Sequence, residues 1–382
     1  MEGTNSHNGA GNPHAGSHAG LQDRADHPNG HGRAEAAGRT YAALDLGTNN
    51  CRLLVARPSR RGFKVVDAFS RIIRLGEGVS ATGRLSQPAI ERTIEALRVC
   101  ASKMDRNKVE RAGLIATEAC RLACNADEFL GRVREDTGLD IKIVDRETEA
   151  KLAVSGCASL IDVSCDFALV FDIGGGSSEL IWLDLTQRRH GRRRSLHDRL
   201  EAQSCIVAWT SLQVGVVTLA EQFGGKIVDA AIFDAMVRHV AQMLQPFEAK
   251  HGLRRRLANG RAHLLGTSGT VTTVAGVHLR LPRYERNKVD GCWLDIAQAR
   301  SVTAELLASS YEERAAQPCV GRERADLVLA GCAILEALLQ TWPCQRLRVA
   351  DRGLREGILA TLMTEDGVYR ANPRTGSGHW RR

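Results

Sequence analysis

Residues Phe171-Asp172-Ile173-Gly174-Gly175-Gly176-Ser177-Ser178-Glu179 form the stretch on which the fold turns. The apolar run Phe167-Ala168-Leu169-Val170 leads in and Leu180-Ile181-Trp182-Leu183 leads out, so the stretch reads as a glycine-rich turn between two buried strands. Three glycines let backbone N–H groups approach an anion closely, as phosphate cradling requires. Asp172 and Glu179, one at each end, are ill suited to touching phosphate directly. They make sense with a hard cation such as Mg²⁺ between carboxylate and phosphate. Taken alone, the stretch is also compatible with a tight turn flanked by two solvated acids.

It is not alone. Tyr41-Ala42-Ala43-Leu44-Asp45-Leu46-Gly47-Thr48-Asn49-Asn50 repeats the plan of apolar strand, Asp, apolar residue, Gly and small polar residues, and is followed by Leu53-Leu54-Val55-Ala56. A third small-polar loop, Gly266-Thr267-Ser268-Gly269-Thr270, follows His263-Leu264-Leu265 and precedes the helix-like Val271–Gly276. Two copies of strand–Asp-x-Gly–strand about a domain length apart point to a duplicated fold with one phosphate loop from each half, rather than to a coincidence of turn chemistry.

The 382 residues allow two or three domains, and 43% hydrophobic with 25% charged residues describe an ordinary globular chain. Aromatics at 4% argue against recognition of specific nucleic acid by base stacking. No apolar run is long enough to span a membrane, and the first residues lack the layout of a signal peptide. Eleven scattered cysteines without paired C-x-x-C clusters fit reduced thiols and a cytoplasmic setting. Cys120 and Cys124, one helical turn apart, read as a core face rather than a metal site. The formal charge of +8 favours a polyanionic partner or substrate.

Along the chain, residues 1–39 read as a disordered Gly/His-rich tail. Phe63–Phe69 reads as a third strand, and Ser86-Gln87-Pro88 as the start of a helix with apolar residues at Ile90, Ile94 and Leu97. Ala112–Thr117 reads as a strand ending where Glu118-Ala119-Cys120-Arg121 opens a helix. From there Arg121 could reach a phosphate, or it could be a solvated helix arginine. Asn125–Thr137 is an expected helix and Ile141–Val144 an expected strand. Asp145-Arg146-Glu147-Thr148-Glu149 opens another helix, on which Glu147 and Glu149, two apart, cannot share a face. Gln187–Gln203 is a basic insertion that reads as a solvated loop. Ile227–Leu244 is long and amphipathic, Arg322–Leu339 reads as an apolar helix, Leu347–Ala350 as a last strand and Gly353 to about Met363 as a last helix. Residues 365–382 read as a loose tail.

In this order, the blocks Asp45-Leu46-Gly47-Thr48-Asn49, Arg146-x-x-Glu149-Ala150, Asp172–Glu179, Gly266–Thr270 and Gly353-Leu354-Arg355-Glu356-Gly357 resemble the exopolyphosphatase/guanosine pentaphosphate phosphatase (Ppx/GppA) family over about residues 41–363. The resemblance implies an α/β, two-domain actin/sugar-kinase/Hsp70-like (duplicated ribonuclease H-like) fold with an interdomain phosphate cleft. The expected division is 41–148 for the first domain, with 353–364 packing back on it, and 149–352 for the second.

Carried across by position, the resemblance implies that Glu149 is the base that activates the attacking water. Asp172 and Glu179 are the acids associated with Mg²⁺, faced by Asp45. Gly47, Thr48, Asn49, Gly174, Gly175, Gly176, Ser177, Gly266, Thr267, Ser268, Gly269 and Thr270 contact phosphate, and Arg121 holds the phosphate chain. Many members carry two adjacent glutamates before the alanine, whereas Thr148 precedes Glu149 here. Larger members append helical domains, so the chain resembles the short form, and a homodimer is common in the family. The expected substrate is inorganic polyphosphate, with guanosine pentaphosphate as the alternative. A small-molecule kinase would need an acceptor hydroxyl, and a polyanion sensor would leave Glu149 without purpose.

Overall fold

The computed structural model describes residues 38–59, 62–186 and 202–368. The expected tail at 1–39, most of the basic insertion and the end of the chain therefore lie outside the described residues.

Two mixed sheets organise the chain. The first has strand order β3-β2-β1-β4-β5, built from β1 (Tyr41–Leu46), β2 (Asn50–Ser59), β3 (Gly62–Ile72), β4 (Arg111–Ala116) and β5 (Lys142–Ile143). The second has order β10-β11-β9-β6-β7-β8, from β6 (Phe167–Ile173), β7 (Ser178–Asp184), β8 (Ile206–Leu212), β9 (Ala262–Thr267), β10 (Trp293–Asp295) and β11 (Arg346–Ala350). In each, a central strand pairs antiparallel with the next strand in sequence and parallel with a later one: β1 with β2 and β4, β6 with β7 and β9. Without β10, the second order 8-7-6-9-11 repeats the first, 3-2-1-4-5. The duplication read from two Asp-x-Gly hairpins is thus a duplication of whole sheets.

Parallel pairs need crossovers, and helices supply them. Helix α1 (Gln87–Arg106) starts at Ser86, whose Oγ accepts from the Ala89 N–H, and buries Ile90, Ile94, Leu97 and Cys100 against one face of the first sheet. Helices α2 (Glu118–Leu122) and α3 (Ala126–Thr137) follow β4. Helix α4 (Arg146–Cys157) is apolar on two sides, as a helix wedged between layers must be. Leu152 and Ala153 join a core with Tyr41, Leu54 and Ile115 of the first sheet; Ala150, Val154 and Cys157 join one with Ala168, Val170 and Ile181 of the second. The expected division at 148/149 falls inside this helix.

The far face of the second sheet is covered by α5 (Val216–Phe223), α6 (Ala230–His251), α7 (Gly269–His278), α8 (Ile296–Ala308) and α9 (Val328–Thr341). The last helix, α10 (Leu354–Glu365), returns to the first sheet, where a Cβ at Gly113 would meet Ile358 Cγ2 at 2.4 Å.

Some expectations change. Helix α9 begins at Val328, not Arg322, because 322–327 form turns in which Asp326 is drawn to Arg74 of the first half at 2.8 and 3.0 Å. Only Lys142–Ile143 of the expected strand Ile141–Val144 pairs. Helix α2 stops at Leu122, so Cys120 is buried while Cys124 is exposed beside Arg84 Nη1, and the two share no core face. Strands β8 and β10 and helix α8 are not among the elements expected from the sequence.

Candidate functional site

The carboxyl ends of β1, β4, β6 and β9 converge on one cleft of about 680 Å³ between the sheets, where open α/β folds place ligands. The two hairpin loops are built alike. Gly47 N–H donates to Asn50 O at 2.9 Å, and Gly174 N–H donates to Ser177 O at 2.9 Å. They also touch: a Cβ at Gly175 would lie 2.9 Å from Thr48 Cβ and 3.1 Å from Asn49 N, so only glycine lets the two halves meet there. The third loop turns from β9 into α7 through Ser268, whose φ of 113° is a strained, left-handed-side value for a residue with a Cβ. Ser268 Oγ, Asn49 Oδ1 and Asn50 Oδ1 are buried at the cleft without a hydrogen-bond partner among the described residues. Buried polar atoms left open cost stability unless a ligand or water completes them.

Asp45, Glu149, Asp172 and Glu179 all line this cleft. Each sits at a dictated position: Asp45 and Asp172 at equivalent points of the two central strands, Glu179 across the hairpin from Asp172, and Glu149 in the first turn of α4. Glu147 is exposed and paired with Lys151 at 2.6 Å, while Glu149 is 8% exposed, so helical spacing separates the two as expected. Burial and the neighbouring Asp45 push Asp172 up to about 6, even though Thr267 and Arg52 oppose the shift. Burial and Asp172 push Glu179 up to about 7 against hydrogen bonds from Ser177 Oγ (2.7 Å) and Ser211 Oγ (3.0 Å). Burial also raises Asp45. Glu149 is held well above the usual carboxylate range by burial and by Glu179.

Arg121 departs from its expected place. It is absent from the cleft lining; its guanidinium is taken up by Glu118 Oε2 (Nε 2.9 Å, Nη2 2.7 Å), by Glu149 Oε2 (Nη1 2.7 Å) and by Val144 O (2.8 Å). The i,i+3 spacing on α2 brings Glu118 onto it, and Nη1 faces the candidate base.

Residues 54–366 match the Ppx/GppA phosphatase family. The chain belongs to this family. Among its relatives are the guanosine-5′-triphosphate,3′-diphosphate pyrophosphatases of Photobacterium profundum and Aeromonas hydrophila, each 27% identical over 88% of this chain. The matches cover 61% and 62% of those proteins, so the chain spans about three fifths of their length. A solved Ppx/GppA family member from Aquifex aeolicus is 28% identical, with a TM-score of 0.67 over 86% of this chain and 98% of that one. The fold is shared with an exopolyphosphatase from Cytophaga hutchinsonii at 22% identity and a TM-score of 0.74, over the same shares of the two chains. The two sheets are those of the actin-like, two-domain Ppx/GppA fold.

Within that fold, cations that motif reading passed over stand in the cleft. Arg52 lies directly across β1–β2 from Asp45, in the position that Glu179 holds in the second hairpin. Arg355 also lines the cleft, and burial and the nearby Arg52 pull it below the usual guanidinium range. Neither forms an ion pair within 4.0 Å among the described residues. Arg52 was readable from its facing register with Asp45, and Arg355 from the Gly353–Gly357 block.

Among the described residues no group of three or more His, Cys, Asp or Glu forms a ready-made metal cage. The acids present nevertheless fit Mg²⁺, which takes one or two carboxylates and completes its shell with water and substrate phosphates. Neighbouring acids raise the proton affinity of Glu149, Asp172 and Glu179, which is what a divalent cation would relieve.

Proposed function

We propose that the chain is a phosphoanhydride hydrolase that removes the terminal phosphate of inorganic polyphosphate. The observation that carries this reading is a nearly buried Glu149, its basicity raised, at a cleft walled by three small-polar loops. A base for attack by water is most effective with a pKa near working pH, and burial moves Glu149 in that direction. Loop N–H groups and the open Ser268 hydroxyl suit a chain of phosphate oxygens, with Arg52 and Arg355 balancing its charge, while the open Oδ1 atoms of Asn49 and Asn50 are acceptors suited to water or a hydrated cation. Asp45, Asp172 and Glu179 would hold Mg²⁺, which when bound supplies charge neutralisation on the transferring phosphoryl group. Glu149 would take a proton from the attacking water and hold it, sheltered from bulk solvent between the two sheets.

A second reading is hydrolysis of guanosine pentaphosphate, favoured by the names of the curated relatives. Phosphate release with Mg²⁺ from long-chain polyphosphate and from guanosine pentaphosphate, at matched concentrations of terminal phosphate, separates the two. Glu149→Gln is expected to keep substrate binding and lower turnover by about 10²–10⁴-fold, the usual worth of a positioned acid or base. Turnover equal to the wild type would remove Glu149 from the mechanism.

A further inference from the structure

Glu118 lines the cleft without belonging to any of the motif residues, and its side chain, only 2% exposed, sits at the meeting point of three segments. Its Oε2 accepts from Arg121 Nε and lies 2.7 Å from Arg121 Nη2 as an ion pair, and its Oε1 accepts from Arg146 Nη2 at 3.0 Å. Arg146 is the first residue of α4, and its Nη2 also donates to Gln213 Oε1, just beyond β8, at 2.9 Å. Glu118 Cγ is pressed against the second phosphate loop, 3.2 Å from where a Cβ on Gly176 would stand. One carboxylate thus ties the β4–α2 turn, the start of the base-bearing helix and, through Arg146, the second sheet.

The geometry of the guanidinium gives this arrangement a consequence. Arg121 meets Glu118 along its Nε/Nη2 edge and meets Glu149 Oε2 at Nη1, which also donates to Val144 O. A planar guanidinium has two edges that can form a two-point pair, Nε/Nη2 and Nη1/Nη2, and they share Nη2, which lies 2.7 Å from Glu118 Oε2, so neither edge is wholly open to Glu149. We propose that Glu118 is a positioning residue that occupies the Nε/Nη2 edge of Arg121, so that Glu149 is held at one oxygen and keeps the other for water. Without the charge at 118, that edge meets only a neutral acceptor, and Glu149 is the carboxylate already in contact with the same guanidinium. Arg121 then turns to take both of its oxygens, and the base is lost to the pair.

The proposal rests on the hydrolase reading above, and its test keeps the two separable. In the full chain with Mg²⁺ and whichever of polyphosphate or guanosine pentaphosphate the wild type hydrolyses, Glu118→Gln is expected to lower kcat by about 10²-fold, as a misplacement of about 1 Å does, with KM nearly unchanged. Glu118→Asp, which keeps the charge one methylene back, is expected to recover part of that loss. In a Glu149→Gln background, Glu118→Gln is expected to cost almost nothing further, because a base that is absent cannot be mispositioned. If Glu118→Gln does not stay folded at the assay temperature, Glu118→Asp takes its place in the cycle, with a smaller kcat loss expected on the same pattern. An unimpaired kcat in a folded variant, or the same loss in both backgrounds, overturns the proposal. A wild type that releases phosphate from neither substrate overturns the functional reading instead.

Discussion

Gly156→Ala adds one methyl group to the helix that carries Glu149, seven residues beyond it. The added Cβ would lie 1.9 Å from the carbonyl oxygen of Gly353, 2.6 Å from its carbonyl carbon and 2.9 Å from its Cα. All three are backbone atoms, so no side chain can rotate away. Ordinary contact begins at 3.4 Å, so α4 and the start of α10 must part by about 1.5 Å. The opposite side of this crossing is equally tight, because a Cβ on Gly357 would lie 2.1 Å from Leu152 O. Gly353 cannot retreat freely either: it lines the cleft, with Asp172 Oδ2 4.0 Å from where its own Cβ would be.

Forcing extra volume into packed structure costs about 1–3 kcal/mol, occasionally more. Alanine's better helix propensity returns about 1 kcal/mol of this. A net loss of about 0–2 kcal/mol is therefore expected in urea unfolding, toward the upper end because the clashing atoms are backbone. Phosphate release should fall far more than stability suggests, by about 10²-fold, because the shift is carried along the helix to Glu149. Gly131→Ala is the matched control: it lies inside α3 with nothing within 4 Å of the added Cβ, so it should be neutral or slightly stabilising, with full activity. Gly156→Ala that is as stable and as active as Gly131→Ala would refute the close crossing of α4 and α10.

Two other tests follow from the cleft. Asp172 has a folded-state pKa of about 6 against an unfolded value near 3.9, so the folded protein retains a proton that the unfolded chain has lost. Its contribution is therefore fully present below about pH 4 and is lost as pH rises through about 6. Without divalent cation, urea melts across that window should show the wild type losing up to about 3 kcal/mol relative to Asp172→Asn. Mg²⁺ should restore part of the loss at higher pH, and parallel curves for the two proteins would contradict the shift. Asp145 caps α4, its Oδ1 accepting from the Thr148 N–H at 2.7 Å and its Oδ2 from Thr148 Oγ1 at 3.1 Å. Asp145→Ala should cost about 1 kcal/mol in thermal or urea unfolding and depress kcat by loosening the turn that holds Glu149; unchanged stability would count against the cap.

Local chemistry makes much of the fold legible in the sequence. The Asp-x-Gly turns at Asp45 and Asp172 mark two hairpins, because glycine and small polar residues between apolar runs leave few other backbones available. Helical spacing put Glu147 and Glu149 on different faces, and Ser86 with Pro88 announced α1. The loops at Gly47, Gly174 and Gly266 could be named as one site because their shared pattern resembles one family.

Other decisions belong to tertiary structure. Arg121 has the same local sequence whether it faces phosphate or Glu149; the choice was made by Glu118 on its own helix and by α4, brought alongside from 25 or more residues away. Arg52 and Arg355 became neighbours only when the last helix returned to the first sheet. The late start of α9 depends on Asp326 pairing with Arg74, 252 residues earlier. By itself, then, the sequence determined where most of the strands, turns and helices lie and which residue types their ends present, because these depend largely on near neighbours and on a period of two or 3.6. Which charge meets which was decided only in the folded chain, because a guanidinium or carboxylate reaches several partners from one backbone position and burial selects among them.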